Sequence, residues 1–194
     1  RDFIQYQIDN PHNVAFKNII PYEDREDTIE GFRRLLNILD FQPNIKVNDT
    51  VYVVGDLFYK HKDPDNVLKQ LKGKKRLVVG NHDGGWLKRL DASRYFLSVD
   101  HLAEISDGKH KLVLCHYPLM CWKHELKSYM IHGHIHNNTN QPYWPVIKNN
   151  PRLLNAGADI NGFEPVSFDE MLANNECFKA DTVARLYNIK EAQE

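Results

Sequence analysis

An α/β fold is predicted from three features of the chain: short β-branched runs that recur along it, helix-patterned segments between them, and the type of residue that ends each run. Thr50-Val51-Tyr52-Val53-Val54 stops at Gly55-Asp56, and Arg76-Leu77-Val78-Val79 stops at Gly80-Asn81-His82-Asp83. Lys111-Leu112-Val113-Leu114-Cys115 stops at His116, and Tyr129-Met130-Ile131 stops at His132-Gly133-His134-Ile135-His136. Unbroken apolar runs of this length read as strands buried on both faces. In open α/β sheets, ligands bind beyond the carboxyl ends of the strands. Four strand ends bearing Asp, Asn and His therefore predict a metal or catalytic centre on one rim.

The remaining elements follow in chain order. Asp2 to Ile8 alternates apolar and polar residues, the period of a strand. Glu23 to Leu39 places Ile29, Phe32, Leu35, Leu36 and Leu39 at helical spacing, and Phe41-Gln42-Pro43 ends that helix. Asp63 to Leu71 predicts a short helix with Asp63 as N-cap, Pro64 at its start and Gly73 beyond its end. Arg152 to Leu154 predicts a further strand, and Ser167 caps a terminal helix.

The 194 residues suit one domain with a proper core. Hydrophobic residues make up 42% and charged residues 26%, which argues against wholesale disorder. The 25 Lys and Arg against 26 Asp and Glu give a net charge of -1, so the basic excess of a nonspecific nucleic-acid binder is missing. The stretch Lys69 to Arg76 is basic and reads as a solvated turn. Three cysteines do not make a disulfide framework, and no apolar run reaches the length of a membrane span. The reducing cytoplasm is the expected compartment. Ten histidines are the compositional oddity, with six between His110 and His136.

Asp56, Asn81, His82, His116, His134 and His136 combine imidazoles with carboxylate and amide oxygens, a donor set for Mn, Fe, Zn or Ni. Cys115 alternates with His116 on an extended strand and so points into the core. A carboxylate at one strand end can bridge two such ions, and a metal pair is suited to in-line displacement at phosphorus. The Ser-elbow, P-loop and H-E-x-x-H signatures are missing. Trp86, Trp122 and Trp144 read as packing residues.

In order along the chain, Gly55-Asp56, Gly80-Asn81-His82-Asp83, His116 within Cys-His-Tyr-Pro, and Gly133-His134-Ile135-His136 resemble the motifs of the calcineurin-like metallophosphoesterases. The tail Asn155 to Ser167 looks like the short single-domain bacterial and phage members. The resemblance covers roughly Lys17 to Leu172. It implies a two-sheet α/β sandwich of the metallo-dependent phosphatase type, with residues 1–194 as one metallophosphoesterase domain. It also implies two divalent metal ions, manganese among them, and a metal-bound hydroxide as nucleophile. Asp56 would bridge the metals, Asn81, His116 and His134 would complete one, and His136 would serve the other. His82 would contact the phosphate and act as general acid, with Asp83 orienting it.

The family's D-x-H start is replaced here by Asp9-Asn10-Pro11-His12-Asn13. Aligned without a gap, Pro11 and Asn13 fall on the metal-binding positions. With one inserted residue on each side of His12, Asp9 and His12 fall there, in a D-x-x-H spacing that needs a turn at Asn10-Pro11. Asp9 and His12 then either complete the second metal site or are plain loop residues. If they do not, a degenerate relative is the alternative. It would keep one metal site and bind a ligand or partner without turnover. Gly55-Asp56-Leu57-Phe58-Tyr59-Lys60 departs from the G-D-x-x-D-R-G signature of Ser/Thr protein phosphatases. A small phosphomonoester or phosphodiester, nucleotides included, is the expected substrate, with no membrane partner.

Overall fold

The structure is a computed structural model, and it describes residues 45–59, 61–162 and 164–180. The strand predicted over Asp2 to Ile8, the helix over Glu23 to Leu39, and Asp9 and His12 lie outside the described residues.

Among the described residues, seven strands form two sheets. The first sheet holds β1 (Thr50–Val54), β2 (Lys74–Val78) and β3 (Phe96–Asp100), all parallel, in the order β1-β2-β3. The second holds β4 (Leu102–Ser106), β5 (Lys111–Cys115), β6 (Ser128–His132) and β7 (Leu153–Asn155). Here β4 pairs antiparallel with β5, and β5, β6 and β7 run parallel.

The period-two geometry of strands sorts their side chains into three cores. Tyr52, Val54 and Val78 from the first sheet meet Leu112, Leu114, Ile131 and Leu154 from the second, so the two sheets pack face to face. The alternate residues point outward. Val53 and Leu77 pack with Leu68 of α1 (Pro64–Gln70) and Trp86 of α2 (Gly84–Leu87). Val113, Met130 and Leu153 pack with Trp144 and Ile147 of α3 (Trp144–Asn149) and with Phe178 of α4 (Phe168–Lys179). The result is the two-sheet sandwich, with helices on both outer faces. It explains the unbroken apolar runs, because each central strand is covered on both sides.

Local signals set the helix ends. The Asp63 carboxylate accepts from the Asn66 N–H at the start of α1, with Pro64 in the first turn. Ser167 and Glu170 form a reciprocal capping box at the start of α4. The predicted packing role of the tryptophans is seen directly: Trp86 and Trp144 are buried, and Trp122 packs against the outer core of the second sheet.

At the far end of α4, Lys179 donates to the Asn150 carbonyl at 2.7 Å and to that of Leu153. Burial lowers its pKa from 10.5 to about 8. The unfolded chain therefore holds this proton more tightly than the folded chain between those values. Unfolding free energy should rise with pH from about 8 to about 10.5 and level off above. Denaturant midpoints across that window should show the rise in the native chain, and Lys179→Met should remove it.

Candidate metal centre

Parallel pairing places the carboxyl ends of β1 and β2 on one edge of the first sheet, and those of β5 and β6 on one edge of the second. A direct bond joins the two edges. The buried His116 imidazole, 2% exposed, donates from Nδ1 to the Val54 carbonyl at 3.0 Å. The Gly133 N–H donates to the His116 carbonyl at 3.0 Å.

The Nδ1 bond fixes the tautomer of neutral His116 and leaves a lone pair on Nε2. That lone pair faces Asn81 Oδ1 at 3.0 Å and Asp56 Oδ2 at 3.2 Å. His134 Nδ1 lies 3.0 Å from the same Asn81 oxygen. Ligand atoms of Asp56, His116 and His134 all fall within 4.8 Å of one another. Lone pairs aimed at one another repel, and a cation among them turns that repulsion into coordination. Two imidazoles, a carboxylate and an amide oxygen fit a borderline divalent ion. Burial, followed by the neighbouring His116, holds the His134 pKa below its ordinary value, which favours the neutral form that ligates.

Backbone strain concentrates here. Among the described residues, four non-glycine residues have positive φ, and three of them are Asp56 (53°), His134 (68°) and His136 (51°). Such conformations cost about 1–3 kcal/mol each and persist where surrounding structure enforces them. Two glycines permit the close approach of the loops. A Cβ on Gly55 would lie 2.2 Å from His116 Nδ1, and one on Gly80 would lie 2.3 Å from Asp56 Oδ1. Gly55 also has φ +83°. Gly55→Ala should therefore destabilise the fold by about 2–4 kcal/mol, read as a fall in unfolding midpoint, and displace His116.

Asp83 departs from its expected role. Its carboxylate is fully buried and accepts from the N–H groups of Asp56 (2.8 Å), Leu57 (3.0 Å) and Gly80 (2.8 Å), and from Trp86 Nε1 (2.8 Å). It ties the β1 loop to the β2 loop instead of orienting the His82 ring. A carboxylate is the one side chain that can accept four such donors. His82 is exposed. Its N–H donates to Asp56 Oδ1 at 2.8 Å, its Nε2 lies 4.0 Å from Asp56 Oδ2, and its ring meets Tyr59 edge-on at 4.8 Å.

His136 stands apart from the three-residue cluster and pairs through Nδ1 with Asp159 Oδ2 at 3.0 Å. His132 is buried, and burial pulls its pKa down to about 4. Its Nε2 has no hydrogen-bond partner, and it lies outside the ligand cluster. Cys115 packs against the outer core of the second sheet, away from the ligands.

Sequence reasoning missed the support beneath the His134–His136 turn. Asn155 Nδ2 donates to the His136 carbonyl at 2.7 Å. The buried Asn175 accepts from the Asn155 N–H at 2.6 Å and donates back to its carbonyl at 3.0 Å, while Asn161 donates to the Asn155 and Gly157 carbonyls. The only signal for this network was the Asn155 to Ser167 tail itself. Three uncharged amides, far apart in sequence, have no spacing that marks them as partners.

The chain matches the calcineurin-like phosphoesterase family over residues 19–185 and belongs to that family. A relative of unassigned function, MJ1445 of Methanocaldococcus jannaschii, is 27% identical over 168 residues, covering 84% of this chain and 86% of that protein. A symmetrical bis(5'-nucleosyl)-tetraphosphatase of Aeromonas hydrophila subsp. hydrophila is 29% identical over 119 residues. That match covers 58% of this chain and 42% of the tetraphosphatase, so the chain spans under half of that relative. The crystal structure of AQ665 from Aquifex aeolicus, a protein of unknown function, has the same fold. Its TM-score is 0.53 at 23% identity, over 84% of this chain and 90% of that one.

Proposed function

We propose that this chain is a metal-dependent hydrolase of small phosphoesters, either monoesters or diesters. The observation that carries the reading is the convergence of Asp56, Asn81, His116 and His134 donor atoms at the joined edges of the two sheets. These four residues would hold one divalent ion, Mn, Fe, Zn or Ni. Asp56 and His136, with Asp9 and His12, would hold a second. Such ions supply an activated water and neutralise charge on the phosphoryl oxygens.

The chain's own residues do the rest. The Val54 carbonyl keeps His116 in the tautomer whose Nε2 can ligate. Asp83 holds Asp56 and Asn81 in register by tying their loops together. A water oxygen would form the new bond to phosphorus as one of its protons passes to solvent, the ester P–O bond would break with its electron pair on the departing oxygen, and His82 would give that oxygen a proton. The named activity of the Aeromonas relative supports nucleotides among the substrates. The sparse and odd cysteine count fits the reducing cytoplasm as the working compartment. Among the described residues, no helix is long and apolar enough to cross a membrane.

A second reading, a one-metal binding protein without turnover, is favoured by a single observation: His136 pairs with Asp159 and stands outside the ligand cluster. Hydrolysis of phenyl and 4-nitrophenyl phosphodiesters in Mn²⁺ separates the two. The hydrolase reading expects turnover that a chelator abolishes. It also expects His82→Ala to slow the phenyl ester by about 10²–10⁴-fold, and the 4-nitrophenyl ester far less, because nitrophenolate leaves without a proton. No turnover with any of the four metals would leave the binding reading in place.

A further inference from the structure

An apolar cleft of about 350 Å³ adjoins the ligand cluster, with His134 on its wall. Tyr117 and Met120 from the β5–β6 loop, Tyr143 and Val146 at the start of α3, and Leu153 of β7 form other sides. Ten large hydrophobic residues are exposed among the described residues, and four of them, Tyr117, Met120, Tyr143 and Val146, gather on this one cleft. Clustered exposed apolar side chains mark a surface that an apolar group covers. A cleft of this size is within the range of small-molecule sites.

The cleft is continuous with the metal ligands. The Tyr117 ring meets the His134 ring edge-on at 4.6 Å and the His116 ring at 5.1 Å. A phosphoryl group placed at Asp56, His116 and His134 would therefore carry its organic substituent past Tyr117 and into the cleft.

We propose that this cleft binds an aromatic ring attached to the phosphoester, and so selects aryl-type esters over small alkyl ones. The inference rests on the hydrolase reading for where the phosphoryl group sits. The side-chain hydrogen-bonding groups on the wall are two phenol hydroxyls and the His134 imidazole. The ring is therefore recognised by its faces and its area more than by its edge. Met120, 76% exposed, adds an unbranched thioether that can shift to fit rings of different outline.

The test pairs binding with turnover. Calorimetry on the Mn²⁺-loaded protein compares phenyl phosphate with methyl phosphate. Kinetics compares 4-nitrophenyl phenyl phosphate with 4-nitrophenyl methyl phosphate, which share one leaving group. The phenyl ligand should bind tighter by about tenfold or more, and kcat/KM should favour the phenyl ester to a similar degree. Val146→Asp, and independently Met120→Asp, should collapse both preferences. Equal binding of the two ligands, with both esters hydrolysed, overturns the cleft and keeps the hydrolase. A phenyl preference in binding without turnover supports the cleft and overturns the hydrolase, and neither binding nor turnover overturns both. Adenosine 5'-phosphate identifies the source of the ring: tighter binding than phenyl phosphate assigns nucleobases, and weaker binding assigns simple aryl esters.

Discussion

Replacing Asn81 with alanine should abolish metal-dependent hydrolysis while leaving the fold intact. Asn81 is exposed at the end of β2, so its loss opens no cavity in the core. Its amide oxygen is the one atom that both His116 Nε2 and His134 Nδ1 approach, at 3.0 Å each. Changing a residue that only supports a ligand typically costs 10–100-fold in metal affinity or activity. Removing a ligand should cost more, and we expect a loss on the order of 10³-fold in kcat/KM. Metal affinity should fall in parallel, and the thermal midpoint of the metal-free protein should hardly move. Asn81→Asp should retain metal, because a carboxylate supplies an oxygen at the same place. A metal-free Asn81→Ala protein that unfolds with the rest of its structure would instead assign Asn81 to folding.

Asp83→Ala should do the opposite and destabilise the fold. The substitution strands four buried or half-buried donors, those of Asp56, Leu57, Gly80 and Trp86. An unsatisfied buried donor costs about 1–3 kcal/mol. Some relaxation and water entry will offset part of that, so we expect a net loss of about 3–5 kcal/mol. In a domain of this size that corresponds to roughly 10 °C or more in the thermal midpoint. Asp83→Asn should recover only part of the loss, because its NH2 group would face donors on one side. Metal affinity should fall in both variants as the Asp56 and Asn81 loops separate. Unchanged stability in Asp83→Ala, with loss of activity alone, would place Asp83 in the chemistry instead.

These two cases separate what the sequence makes legible from what it hides. The central strands β2 and β5 are legible because each is covered on both faces, so Leu77 to Val79 and Leu112 to Leu114 read as unbroken apolar runs. The edge strands β3 and β4 are not. In β4, Ala103 and Ile105 pack inward while Leu102 is exposed, which blurs the alternation. In β3, Leu97 and Val99 face solvent for the same reason, and neither strand was expected from the pattern. The helices α2 and α3 have four and six residues, too few turns for a helical period to register.

At the centre, Asp56, Asn81, His116 and His134 were legible because each follows a strand and sits in a recognisable motif. The role of Asp83 was hidden, because one letter serves equally for a residue that orients a histidine and one that binds four backbone and side-chain donors. The partner of His136 was hidden too. Asp159 lies 23 residues away, in a turn whose position depends on the buried Asn155, Asn161 and Asn175 network.

The most direct test of the central claim is the anomalous scattering of manganese in crystals of the Mn²⁺-loaded protein. A peak bonded to Asp56, Asn81, His116 and His134 is the predicted result, and a second peak toward His136 would complete the pair. Full-occupancy manganese elsewhere, or none at these four residues in saturating Mn²⁺, would contradict it.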